Sequence, residues 1–500
     1  MIIRGKDSIL PVIGLEIHIQ LKTNSKLFCK CKNNFGDPPN SNVCPVCIGL
    51  PGSLPVINKK AVELSIKVGY SLNCEIAEFT KWDRKSYYYP DLPKNYQISQ
   101  YDLPLCMNGY MDVPIDKGES KRIRVLRAHL EEDAGKNFHD NPDHTYVDLN
   151  RTGIPLLEIV SEPDMNSAEE VLFYARTMQK IVRWVNASEA NMEMGHMRFE
   201  PNINLHITRN NKTYKTPIVE VKNLNSFKSL EQTIDYEIER QYEEWSEAPE
   251  EYSIERLSKQ NRGFNTNLGI TVFQREKEEA HDYRYFPEPD LVPIKINIEW
   301  KDHILNSVGE LFFEREERYK NVYNLSDREI TTLTSEKAVS DLLEDSIKNS
   351  GDPKNCVNIL LGKAAAIANQ KNSTISELGI KPEQLAELSI MIKQGKVNAT
   401  TASNKIFSVM IEEQVMPLEY AKSKGLLIET DLKKLEEWVC EAVAANPKVK
   451  DEILNDIKKQ KKAFGFLMGQ VMQKSRGTAS PMEVKRILKK KLGLDEDSEL

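Results

Sequence analysis

Four stretches in the first half of the chain set charged or metal-binding side chains among apolar neighbours. They are Gly14–Ile19 with Glu16 and His18, His129–Lys136 with Glu131, Glu132 and Asp133, Leu156–Asp164 with Glu158 and Glu162, and Val219–Lys222 with Glu220. An acidic residue inside an apolar, strand-like run is costly to bury unless it is paired or holds a cation. Repeated four times, that context points to a metal and phosphate site. Glu16 and His18 are two apart, so on a strand they project from one face, about 7 Å apart at the backbone. Together they could bind a divalent cation; equally, they could form the polar face of a half-buried strand. Three consecutive acids at 131–133 repel one another unless they are solvated or neutralised. That stretch is therefore a cation site or a charged surface loop, and Lys136 at its end could meet phosphate oxygens.

Lys85 lies between Arg84 and the run Tyr87-Tyr88-Tyr89. Basic groups beside tyrosines could hold a nucleotide or an RNA end by charge and stacking, or could be an exposed turn. A second such stretch, Asp282–Asp290, carries Arg284 between two tyrosines and has two prolines that favour a rigid extended loop. Cys29, Cys31, Cys44 and Cys47 crowd into nineteen of the chain's 500 positions. Two close cysteine pairs across a turn-rich loop can give zinc four thiolates, the alternatives being reduced spectator thiols or a redox pair. Such a closed site is structural, because no position is open to substrate. Neither a Gly-x4-Gly-Lys-Ser/Thr loop nor a Gly-x-Gly-x2-Gly turn is present. Any nucleotide is then expected to be held through Mg²⁺ on carboxylates.

These residues need a framework. Val12–Ile19 and Ile203–Ile207 alternate as strands should. Ser167 and Glu170 have capping-box spacing ahead of Val171, Leu172, Met178, Ile181, Val182 and Val185, which predicts a helix. The mixture predicts an α+β domain with a mainly antiparallel sheet to about residue 295. Beyond it the chain turns helical in period, with an apolar stripe at Leu432, Leu435, Val439 and Val443 and turns near Gly351-Asp352-Pro353 and Asn446-Pro447. Residues 495–500 form an acidic end expected to fray. The net charge of −7 gives no global basic field. Nucleic-acid contact would need a local patch. One exists between Lys461 and Lys491: Lys461, Lys462, Lys474, Arg476, Lys485, Arg486, Lys489, Lys490 and Lys491 against the single acid Glu483. It could meet a phosphate backbone, or be solvated helix faces. No signal-peptide core and no apolar run of roughly 18 residues is present, so the chain is expected to be cytoplasmic with no membrane partner.

Six motifs in order resemble the GatB family, the tRNA-binding component of the tRNA-dependent amidotransferase, over nearly the whole chain. They are "VIGLEIHIQLKTNSKLF", "DRKSYYYPDLPKNYQISQYD", "HLEEDAGK", "DLNRTGIPLLEIVSEPD", "VEVKNLNSF" and "DYRYFPEPDLVP". Residues 462–492 look like that family's YqeY-like tail. The resemblance implies a glutamine-synthetase-like cradle over residues 1–295 with a zinc-binding insertion at 29–47. It implies an all-α helical domain over 296–400 and a tRNA-binding tail over 401–500.

It also implies a reaction. ATP phosphorylates the side-chain carboxylate of Glu on tRNA-Gln or Asp on tRNA-Asn, and ammonia displaces the phosphate to give the amide. The ammonia comes from the GatA amidase subunit, and GatC completes a heterotrimer. Carried over by motif, Glu16, His18 and Glu132 match Mg²⁺ positions. Glu131 and Glu220 match neighbouring acids, and Lys85 a lysine of the kinase site. Lys85, Lys136, Arg198 and Arg284 are the expected cofactor-binding groups. The sequence departs from the commonest pattern at Glu200, where the family often has Asp. A free-standing ATP-dependent carboxylate–amine ligase and a non-catalytic RNA-binding scaffold are the two rival readings.

Overall fold

The computed structural model describes residues 1–115, 119–138, 143–222, 224–276, 283–350, 352–428, 431–455, 457–475 and 478–494. Gly351, Arg476, Asp282 and the acidic segment 495–500 lie outside the described residues. Two compact units make up the chain, Met1–Phe312 and Phe313–Leu500.

The first unit is organised on strand β1, Asp7–Gln20. Ile9, Ile13, Leu15, Ile17 and Ile19 are all buried, and Glu16, His18 and Gln20 alternate with them. That period of two gives the strand one apolar and one polar face. Further strands are β2 (Asp83–Ser86), β3 (Tyr96–Ser99), β4 (Cys106–Pro114), β5 (Ser120–Glu132), β6 (Pro155–Ser161), β7 (Met197–Arg209), β8 (Val219–Lys222), β9 (Gln260–Asn265) and β10 (Ile270–Glu276). An eleven-stranded sheet runs β10-β9-β8-β7-β1-β6-β5-β4, with Glu75–Ile76 at the far edge, Ile2–Arg4 pairing β1 and Lys212–Lys215 pairing β7. Its described pairs are antiparallel except β8–β9, which is parallel. A parallel pair needs a crossover, and helix Phe227–Glu247 lies within it.

That helix joins two others on the apolar face. We label them α1 (Lys59–Ser71), α2 (Ala168–Trp184) and α3 (Phe227–Glu247). The Ser167 side chain accepts the Glu170 N–H, so the expected cap starts α2. Val171, Tyr174, Met178, Ile181 and Val182 of α2 share one core with the β1 isoleucines and with Leu230 and Ile234 of α3. The opposite face of the sheet is left to polar side chains. A small three-stranded sheet has β2 at its centre, paired with Phe286–Pro287 on one side and β3 on the other. The described first unit is therefore mixed α+β with a mostly antiparallel sheet, as its periodicities predict.

The second unit is helical. One core gathers Leu333, Leu343, Leu360, Leu385, Phe407 and Met410. A separate core gathers Leu435, Val439 and Val443 of helix α4 (Leu432–Ala445) with Phe464, Leu467 and Leu488. Leu432 departs from its expected stripe and is 47 % exposed, because it is the first residue after the Asp431 cap and overhangs that core. Asp352 caps the helix that begins at Pro353, and Asn446-Pro447 separates α4 from the next helix.

Candidate functional site

Cross-strand register builds the site. Position 158 of β6 lies between His129 of β5 and His18 of β1, and His18 in turn faces Arg198 of β7. Two residues along, Glu16 lies between Val160 and Glu200, and two further on Asn202 lies between Gly14 and Glu220. Since residues two apart share a face, the polar side of five adjacent strands converges here.

His18 Nε2 is 3.5 Å from a Glu158 carboxylate oxygen and 3.9 Å from one of Glu131. His129 Nε2 is 3.4 Å from Glu158 and 3.7 Å from Glu131. Ser99 donates a hydrogen bond to Glu131 at 3.1 Å. Burial alone would lower the His18 pKa, yet the carboxylates of Glu158, Glu200 and Glu131 raise it to about 9. His129 is raised in the same way, against its burial, by Glu158 and Glu131. Burial would raise Glu158, but the two imidazoles hold it well below the usual carboxylate range. Both Nδ1 atoms are buried with no hydrogen-bond partner among the described residues.

Ligand atoms of His18, Glu131 and Glu158 all lie within 4.8 Å of one another, so this trio could hold a metal ion. Converging carboxylates favour a cation between them. Their oxygens suit Mg²⁺, and an imidazole ligand also suits softer divalent ions. The donor set therefore fits a divalent cation.

The trio differs from the expected one. Glu132 follows Glu131 on β5, so alternation sends it to the other side of the strand. There it pairs with buried Lys94 and accepts the Ile98 N–H at 2.9 Å. Glu16 stays on the polar face but bonds Asn202 Nδ2 at 2.9 Å, one register from the trio. Glu220 and Glu200 share Lys222, each at 2.6 Å. Lys222, with His18 and Arg198, brings Glu200 to about 2 against its burial.

Lys85 reaches the cluster from β2. Burial would lower it, but Tyr285, Glu131, Tyr87 and Glu158 hold it well above its ordinary value, so it stays an ammonium. Its Nζ lies 4.8 Å from the Tyr283 ring and 5.7 Å from Tyr87. Tyr101 and Tyr285 stack at 4.3 Å and 10°. Arg284 is exposed and donates to the Tyr88 hydroxyl at 3.4 Å. Lys136 is exposed over the Phe138 ring. Arg198 is bonded to Asp133 at 3.0 Å.

Asp133 is a functional candidate that sequence reasoning left unassigned. It also accepts from Gln20 at 2.8 Å and lies 3.7 Å from Arg151. The period-two pairing of His129 with Glu131 was a readable signal for the trio. Nothing in the sequence announces the approach of Ser99 or Arg151, which come from distant segments.

The four cysteines form a second cluster. Cys47 Sγ lies 3.7 Å from Cys29, 3.7 Å from Cys44 and 3.9 Å from Cys31. A tetrahedron with zinc–sulfur bonds of about 2.3 Å has sulfur–sulfur edges of about 3.8 Å, and a disulfide would need about 2.05 Å. The cluster therefore fits a metal such as zinc. The Cys29 thiol, with the Cys44 backbone and Lys26, lowers Cys47 to about 4 against its burial. Gly49 closes the turn after Cys47 at φ +64, and a Cβ there would meet Lys94 Cγ at 2.7 Å. Only glycine fits that turn without strain.

In the tail, Lys461, Lys462, Arg486, Lys490 and Lys491 are exposed on helices Ile457–Lys474 and Pro481–Leu492. Lys489 is buried, and Lys474 pairs with Glu441. No described helix is long and apolar enough to cross a membrane.

Residues 11–302 match the GatB/GatE catalytic domain, and residues 341–492 match a GatB domain. The chain is 43 % identical over 485 residues to the B component of the aspartyl/glutamyl-tRNA(Asn/Gln) amidotransferase of Carboxydothermus hydrogenoformans, covering 96 % of this chain and 98 % of that protein. Proteins of the same name are 42 % identical in Thermoanaerobacter pseudethanolicus (96 % and 98 % covered) and 41 % identical in Treponema denticola (96 % and 97 % covered).

Proposed function

The chain belongs to the GatB/GatE family, and from that premise we propose that it is the synthetic subunit of a tRNA-dependent amidotransferase. Its substrates are ATP and the misacylated Glu-tRNA(Gln), Asp-tRNA(Asn) or both. It works in the cytoplasm in a heterotrimer with the amidase GatA, which supplies ammonia, and with GatC. The reaction makes it an ATP-dependent carbon–nitrogen ligase with glutamine as amido donor, built on a glutamine-synthetase-like cradle.

One observation carries this reading: His18, Glu131 and Glu158 converge on the polar face of the sheet, and the Glu131 and Glu158 carboxylates act on the Lys85 ammonium. Phosphoryl transfer needs positioning and charge neutralisation more than covalent chemistry. Mg²⁺ on the trio, when bound, would neutralise phosphate charge. Lys85 holds a positive charge where the transferred phosphoryl oxygens gather. Glu16, Glu200, Lys222 and Glu220 line the neighbouring wall of the site with hydrogen bonds and ion pairs. The Tyr101–Tyr285 stack, with Tyr87, Tyr283 and Arg284, offers flat faces for a base of the nucleotide or of the tRNA end. The exposed tail lysines offer phosphate-backbone contact. Cys29, Cys31, Cys44 and Cys47 hold structural zinc.

Reconstitution tests it. The chain is assayed alone and with its amidase partners, with ATP, glutamine and misacylated tRNA. Amide formation confined to the full complex is the expected result. Amidation of free glutamate would replace this reading with a small-molecule ligase, and absence of ATP turnover would leave a scaffold. Elemental analysis should show about one zinc per chain, as four thiolates can bind.

A further inference from the structure

Lys26 is a buried basic side chain whose Nζ pairs with no carboxylate among the described residues. It is 0 % exposed. Among the described residues its Nζ has two polar contacts, Cys47 Sγ at 3.5 Å and the Leu149 carbonyl oxygen at 3.3 Å. A buried charge is costly without an opposite charge nearby. The carbonyl is neutral, so the ionisable group in direct contact with Lys26 Nζ is the Cys47 sulfur. The need is mutual: four thiolates around one divalent ion leave two surplus negative charges in a shielded place.

The same lysine sits at a junction. Its N–H bonds the Cys31 carbonyl at 2.9 Å, and the Leu27 N–H bonds the Gly153 carbonyl at 2.8 Å. The cysteine loop grips that segment again. Asn40 Nδ2 donates to the Val147 carbonyl at 3.0 Å, Asn40 Oδ1 accepts the Leu149 N–H at 2.8 Å, and the Asn42 N–H donates to Asn150 Oδ1 at 2.8 Å. From there Arg151 donates to the carbonyls of Ala134 and Gly135, and the Gly153 N–H to that of Asp133. Asp133 directly follows Glu131 and Glu132.

We propose that Lys26 is a positioning residue with two tasks. It offsets thiolate charge so that the cysteine cluster keeps its metal, and it ties that cluster through 149–153 to the loop ending β5, which carries Glu131. Metal ligands are commonly tuned by such hydrogen-bond partners, whose loss lowers metal affinity about 10- to 100-fold. The proposal rests on the zinc reading above.

The test uses the full chain, zinc-loaded, in competition with a chromogenic chelator. Lys26→Met keeps the bulk and loses the charge. It should bind zinc about tenfold more weakly or worse, and amides of 147–153 should exchange faster. Lys26→Arg keeps the charge and should restore most of the affinity. Zinc binding by Lys26→Met equal to wild type overturns the charge role. Should that variant fail to fold, the wild type still decides. Chelating its zinc should open Lys26 to acetic anhydride and speed exchange at 147–153, and no change in either overturns the coupling. A wild-type protein that binds no zinc at all removes the zinc reading itself, and this inference with it.

Discussion

His18 and His129 are each held between the same two carboxylates, so the charge of the cluster depends on every member. Glu158→Gln removes the nearer of the two acids that both imidazoles share. Amide formation should fall about 10²- to 10³-fold, the usual cost of removing one electrostatic partner from a preorganised site. Affinity for tRNA, measured by filter binding, should stay near wild type; equal loss of both would place Glu158 in binding or folding. Adjacent Glu131 and Glu132 should separate by phenotype. Glu132→Gln strands the buried Lys94 ammonium and should cost about 3–5 kcal/mol in urea unfolding. Glu131→Gln should lose rate while its unfolding midpoint holds. A stable, inactive Glu132→Gln would return Glu132 to the chemistry.

At the level of elements, α3 is fastened to the sheet edge through Glu237. That carboxylate is fully buried, bonded by Arg240 and Gln241 of α3 and by Thr271 of β10. Burial would raise its pKa, but Arg240, Thr271 and Gln241 lower it below the ordinary 4.5. A depressed folded value stabilises fully above the unfolded value and is lost as pH falls through the folded one. Unfolding free energy should therefore fall as pH drops below about 4.5, and part of that slope should vanish in Glu237→Gln. An unchanged slope would assign acid sensitivity to other carboxylates. Individual elements were legible from sequence where one residue pattern decides them. Alternation marked β1, and Ser167 with its apolar stripe marked α2. What joins them was not legible. Whether Glu131 or Glu132 meets His18 follows from the β5–β6–β1 register, whose β6–β1 half is set by pairing across more than a hundred residues. Glu158 looked like one buried acid among several until that register put it between two histidines.

For the whole molecule, the acidic total charge hides a basic tail. Substituting Lys461, Lys462, Lys490 and Lys491 with Ser should weaken tRNA binding across sequences and reduce the slope of log affinity against log salt, by about one unit or less for each phosphate left unneutralised. Rate at saturating tRNA should change little; an unaltered slope would make these lysines ordinary solvated groups. The central strand carries a different kind of consequence, one of timing. β1 comprises residues 7–20; Ile2–Arg4 pairs with its first three residues, yet its two long neighbours are residues 155–161 and 197–209. At about 5–20 residues per second, a ribosome needs roughly ten to forty seconds after making His18 to deliver Arg198. Until residues 155–161 emerge, residues 10–20 of this isoleucine-rich strand have two open edges, and after that one, the arrangement most prone to pair with other chains. Its protection during synthesis must come from outside the sheet, and a message truncated before residue 197 would release the strand with one edge still open.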